Sequence, residues 1–140
     1  MSDQQPQQQT KKVLFACIQN AGRSQMSAAL FNLHCSNKGW TAISAGTNPA
    51  THVHPAVVET MKEKGVDLTN NIPQKLTLEL AQTATIFVTM GCGDACPYVP
   101  GIKIVEWQIE DPKNKPAEQV RLIRDDLEAR IIDFIKQEGI

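Results

Sequence analysis

Short apolar runs alternate with helix-forming segments along this chain, and the alternation limits what it can fold into. KKVLFAC (11–17) reads as a buried strand. SQMSAALFNLHCSN (24–37) reads as a helix, with Met26, Leu30 and Leu33 at helical spacing. TAISAG (41–46) is a second strand that ends at Gly46. HPAVVETMKEKG (54–65) is a helix, since Pro55 suits a first turn and Gly65 an end. KLTLELAQTA (75–84) reads as a third helix, TIFVTM (85–90) as a third strand and IKIVEWQ (102–108) as a fourth. AEQVRLIRDDLEARIIDFIKQEG (117–139) is a long amphipathic helix with Val120, Ile123, Leu127, Ile131 and Phe134 on one face. Strands alternating with helices predict an α/β fold, a four-stranded parallel sheet with helices on both faces. Ligands of such sheets bind at the carboxyl ends of the strands. Three stretches fall there: CIQNAGRS after the first strand, GCGDACP after the third and EDP after the fourth.

The 140 residues suit one domain with one core. Residues 1–10 are Gln-rich, contain Pro6 and are expected to be a disordered tail; 11–140 form the single domain. Acidic and basic residues nearly cancel, 15 against 14. No broad basic face is implied, so nucleic acid is not an expected partner. No apolar run approaches the ~20 residues of a membrane span. The start, MSDQQPQQQT, lacks the features of a secretory signal, so a cytoplasmic monomer is expected. There the four cysteines, Cys17, Cys35, Cys92 and Cys96, read as filler, metal ligands or reactive thiols rather than a disulfide scaffold.

Cys17 closes the first predicted strand, and the next helix begins near Arg23 or Ser24. A strand–loop–helix turn of this length points its N–H groups inward and forms an anion cradle. Ile18, Gln19, Asn20, Ala21, Gly22, Arg23 and Ser24 are the candidate oxyanion ligands. Gly22 is expected to permit a backbone geometry that larger residues resist. Arg23 brings a planar fork matched to tetrahedral oxyanions. The cradle favours the thiolate of Cys17, and Ser24 can hydrogen-bond it. A nucleophile beneath a bound oxyanion is what covalent catalysis at phosphorus or arsenic needs. Asp111 could donate a proton to a leaving oxygen, although Asp-Pro alone also makes turns.

VLFACIQNAGRSQMSAAL, ISAGT, HPAVVETMKEKGVDL, FVTMGCGDACP and EWQIEDP together resemble the low-molecular-weight protein tyrosine phosphatase fold, and more closely its arsenate reductase branch. The similarity runs from about Val13 to the final helix. It implies that the nucleophile is Cys17, the anion-binding arginine Arg23, the loop asparagine and serine Asn20 and Ser24, and the general acid Asp111. Tyrosine phosphatases of this fold carry tyrosines beside the Asp-Pro pair, where this chain has Lys113 and Asn114. Some thioredoxin-coupled reductases have a cysteine at the position of Gly22 and a potassium-site carboxylate at that of Ala28. No metal or cofactor is therefore expected.

Cys92 and Cys96 separate the two branches. A phosphatase needs no further thiol, whereas paired cysteines on a Gly-rich loop can supply two electrons. C-x₃-C is also half of a zinc site, but the other candidate ligands, His34 with Cys35 and His52 with His54, lie far away in sequence. The resemblance implies a relay. Cys17 attacks arsenate, Cys92 resolves the adduct, Cys96 takes over the disulfide, and a cellular dithiol reduces it. Thioredoxin is the donor expected, with glutaredoxin, glutathione or mycothiol as alternatives. Phosphate and sulfate should compete with arsenate. A tyrosine or small-molecule phosphatase and a non-catalytic oxyanion-binding or redox-sensing module are the competing readings. Cys35 is assigned to filler, His54 to helix entry, Trp40 and Trp107 to packing, and the charges of the last helix to a solvated face.

Overall fold

The computed structural model describes residues 10–92 and 95–140. The tail expected to be disordered therefore lies, but for Thr10, outside the described residues, as do Gly93 and Asp94. The elements run β1 (Lys11–Cys17), α1 (Arg23–His34), β2 (Trp40–Gly46), α2 (Pro55–Lys62), α3 (Leu78–Gln82), β3 (Ile86–Thr89), β4 (Lys103–Glu106) and α4 (Ala117–Glu138). The expected four-stranded parallel sheet is present, in the order β2-β1-β3-β4. Among the described residues no helix is long and apolar enough to cross a membrane.

β1 is central, and its period-two alternation feeds both faces of the sheet. Val13, Phe15 and Cys17 point into the larger core with Met26, Leu30 and Phe31 of α1, Val57 and Met61 of α2, and Val120, Ile123, Leu127, Ile131 and Phe134 of α4. Leu14 and Ala16 pack on the other face with Leu76, Ala81 of α3, Phe87 and Val99. Trp107 joins Phe15 and Phe134, its ring 5.8 Å from that of Phe134 and nearly perpendicular to it. Because β1 pairs with β2 on one side and β3 on the other, its carboxyl end opens at the point where the strand order reverses. Cys17 is the residue at that end.

Four local expectations need correction. The third helix is only Leu78–Gln82, capped by the Thr77 hydroxyl, which accepts from the Leu80 N–H. Lys75 and Leu76 lie outside it because they extend the sheet edge: Gly46 N donates to Gln74 O, and Leu76 N to Gly46 O. The fourth strand is Lys103–Glu106, shorter at both ends than expected. Leu33 is 47% exposed on the outer side of α1, and the helix ends at His34, with Cys35 extended and only partly buried. The charged face of α4 is not all solvated either. Arg124 is buried and donates to Thr60 O and Glu63 Oε1, fastening α4 to α2.

Two outcomes follow from this packing. Gly46 sits at the end of β2, and a Cβ there would lie 2.5 Å from Ile18 O and 2.7 Å from Asn20 N. Those atoms are backbone and cannot swing aside. Gly46→Ala should cost about 1–3 kcal/mol in urea unfolding; an unchanged midpoint would contradict the contact. Hydrogen bonds from Arg121 and Arg124 hold the Glu63 carboxyl down, from 4.5 to about 2. A depressed carboxyl stabilises the fold fully above 4.5 and loses that contribution as pH falls towards about 2. Between those pH values, Glu63→Gln should lose stability less steeply than the wild type, and parallel curves in pH-dependent urea titrations would contradict the assignment.

Candidate active site

The turn between β1 and α1 is held from outside. Four of its carbonyls are claimed by the segment that follows β2: Thr47 N donates to Cys17 O, Asn48 N to Ile18 O, Ala50 N to Gln19 O and His54 N to Ala21 O, at 2.7–3.2 Å. The N–H groups of residues 18–22 donate to nothing among the described residues. Bonded carbonyls with N–H groups left free are the arrangement found in backbone anion-binding turns.

Cys17 is buried, and its Sγ lies 3.0 Å from Ser24 Oγ. Asn20 Nδ2 donates to that same oxygen at 2.7 Å. An amide nitrogen only donates, so the hydroxyl proton of Ser24 is free to point at sulfur and support a thiolate. Asn20 is fully buried in the left-handed region, with φ +53°. Its Oδ1 accepts from Gln74 N at 2.9 Å and from Gln25 Nε2 at 3.2 Å. Gln25 also donates to Asn20 O and accepts from Asn71 Nδ2. The reading of the sequence did not single out Gln25, Asn71, Gln74 or Gly46. They are neutral and, except for Gln25, distant in sequence, so no motif marks them; the only signal was that Gly46 ends a strand.

Arg23 opens α1 and is only 7% exposed. Its Nη1 donates to Ile109 O at 3.3 Å, and its Nη2 lies 3.5 Å from Asp111 Oδ2. Nε is buried with no partner among the described residues, a donor suited to an oxyanion in the cradle. Asp111 is half-exposed, and its Oδ1 accepts from Lys113 N, which fixes the turn at Pro112. So the structure brings Asp111 to Arg23 on the open side of the loop, where an acid could reach a departing oxygen.

At Gly22, with φ −140° and ψ −91°, a Cβ would lie 2.6 Å from Pro112 Cγ. Its lack of a side chain lets the Asp111–Pro112 turn close on the loop. The His54 ring flanks the same spot, 3.5 Å from that Cβ position, and His54 caps α2. Burial pushes its imidazole below its ordinary value, against the pull of Asp111.

Cys92 and Cys96 are joined by a disulfide, with Cα atoms 5.5 Å apart. They follow β3, whose register sets Thr89 against Ala16 and whose next residue, Met90, donates to Ala16 O. The pair thus starts beside the end of β1. Cys92 is buried and Cys96 partly exposed, so an external thiol can approach Cys96 more readily. Cys35 is a free thiol at the far end of α1, away from this loop.

The model of the low molecular weight phosphotyrosine protein phosphatase family matches residues 12–138. A relative from Halobacterium salinarum, provisionally named an arsenate reductase, is 37% identical over 132 residues, 91% of this chain and 93% of its own. The arsenate reductase of Staphylococcus aureus (strain Newman) is 32% identical over 129 residues, 89% of this chain and 95% of its own. Among solved structures, the thioredoxin-dependent arsenate reductase of Corynebacterium glutamicum superposes with a TM-score of 0.79 at 35% identity. That superposition covers 91% of this chain but 61% of the longer corynebacterial one. With the cradle, the fold and these similarities in agreement, the chain belongs to the low molecular weight phosphotyrosine protein phosphatase family.

Proposed function

We propose that this chain reduces arsenate to arsenite with its own thiols and is then recharged by thioredoxin. The observation that carries the reading is the Cys92–Cys96 disulfide on the loop beside the oxyanion cradle. A phosphatase would use Cys17, Arg23 and Asp111 and have no work for that pair.

In the first step the Cys17 thiolate attacks arsenic, held by the free N–H groups of residues 18–22 and by Arg23. Ser24 steadies the sulfur, and Asp111 protonates the oxygen that leaves as water. The Cys92 thiolate then attacks Cys17 Sγ. The S–S bond forms, and the arsenic–sulfur bonding pair stays on arsenic, which departs as arsenite. Two electrons have passed from two thiols to arsenic. Cys96 next attacks Cys92, freeing Cys17 and leaving the Cys92–Cys96 disulfide. A dithiol reductant attacks Cys96, expels Cys92 as a thiolate, and closes its own disulfide as Cys96 leaves. Thioredoxin fits this role because an internal disulfide suits a dithiol donor, and a structural relative is named thioredoxin-dependent. The reaction belongs in a reducing cytosol, where free thiols persist. Phosphate and sulfate compete for the cradle as tetrahedral anions.

Variants of the three thiols test the order of events. Cys17→Ser should abolish turnover. Cys92→Ser should abolish multiple turnover in an assay coupled to thioredoxin, thioredoxin reductase and NADPH. Cys96→Ser should release arsenite once and stall with Cys17 and Cys92 joined, as seen by mass spectrometry of digested protein. Wild-type turnover by both Cys92→Ser and Cys96→Ser would reject the relay and leave an external thiol to resolve the Cys17 adduct.

A further inference from the structure

Gly91 separates β3 and Met90 from Cys92, and it has φ +83°. A Cβ built on it would lie 2.6 Å from Arg23 Nη1, 3.5 Å from Cζ and 3.7 Å from Nη2. The guanidinium therefore packs directly on the backbone of the loop that carries Cys92. Its other neighbours are Ile109 O and Asp111, so the cysteine loop is one wall of the arginine's slot.

We propose that Gly91 is a positioning residue for the oxyanion site, its bare Cα admitting the Arg23 guanidinium to the place from which Nε reaches the cradle. The inference rests on Arg23 being the oxyanion ligand. The colliding atom is the tip of a long side chain rather than backbone. A methyl group at position 91 is thus relieved by moving the guanidinium, and the consequence falls on anion binding rather than on the core. Two other glycines separate this effect from backbone strain. Gly65 at φ +79° and Gly101 at φ +88° share the positive φ, and a Cβ on either would meet nothing within 4 Å. Alanine at those sites brings the left-handed strain without the collision.

The test is inorganic phosphate binding, measured by calorimetry on the wild type, Gly91→Ala and Gly101→Ala, with thermal unfolding of each. Phosphate should bind Gly91→Ala at least about tenfold more weakly than the wild type, through the displaced charge-assisted donors. Gly101→Ala should lose stability to a similar degree and keep wild-type affinity. Arsenate KM should rise in Gly91→Ala in step with the lost phosphate affinity. Equal phosphate affinity in Gly91→Ala and the wild type overturns the proposal, and so does an equal loss in Gly101→Ala. Failure of the wild type to bind phosphate overturns the reading of Arg23 as an anion ligand and the proposal with it. If Gly91→Ala does not fold, the wild type carries the test by NMR. The Gly91 amide must then shift on phosphate titration with the midpoint of the Arg23 Nε–H, while Gly101 stays still; an unmoved Gly91 amide contradicts the contact.

Discussion

Asn20 lies buried with φ +53°, a backbone conformation that residues other than glycine adopt at a cost. Here the cost is offset by its own side chain. The carboxamide accepts from Gln74 N and Gln25 Nε2 and donates to Ser24 Oγ. That fixed turn reverses the chain after Cys17 within a few residues and delivers Arg23 at the start of α1. It also directs the loop carbonyls outward to Thr47, Asn48, Ala50 and His54, which leaves the N–H groups for an anion. Without this local strain, Cys17 would be a buried thiol at the end of a strand, with no cradle above it.

The parallel sheet supplies the rest by bringing distant segments to one edge. β1 ends at Cys17 between β2 and β3, so the loops after β1, β2 and β3 are neighbours in space. The loop after β4 reaches the same point through Ile109, Asp111 and Pro112. Arg23 stands where these loops meet. Close approach is allowed by the glycines at 22, 46 and 91: a Cβ would collide with Pro112 at the first, with the Ile18–Asn20 backbone at the second and with the Arg23 guanidinium at the third. Shape and chemistry are thus set by the same contacts.

Much of this was legible in the residues. The β-branched and aromatic runs marked β1, β2 and β3, because they are buried and pleated, and the Cys17–Ser24 stretch marked a cradle through its length and residue types. Cys92 and Cys96 were legible as a thiol pair in a Gly-rich loop, and their disulfide through the resemblance to arsenate reductases. The segment 75–84 misled because its apolar residues also satisfy helical spacing, while Lys75 and Leu76 are drawn onto the edge at Gly46, a long-range pairing that no local pattern reports. Gly22 was noticed for its backbone, while the collision it avoids with Pro112 depends on a residue 90 positions away. Arg124 was lost among the charges of α4, because only its partners on α2 distinguish a buried guanidinium from a solvated one. Gln25 and Gln74 bear on the nucleophile through neutral hydrogen bonds, which leave no charge pattern to read.

The central claim is that one reduced chain holds both the oxyanion site and the electrons for a complete reduction. Fully reduced protein, freed of all external thiol, should be mixed with excess arsenate and the products counted. The account predicts about one arsenite released per chain, with the loss of two titratable thiols and a Cys92–Cys96 disulfide in the product. Unchanged thiols and no arsenite, under conditions where phosphate protects Cys17 from alkylation, would contradict it: the chain would then bind oxyanions without reducing them.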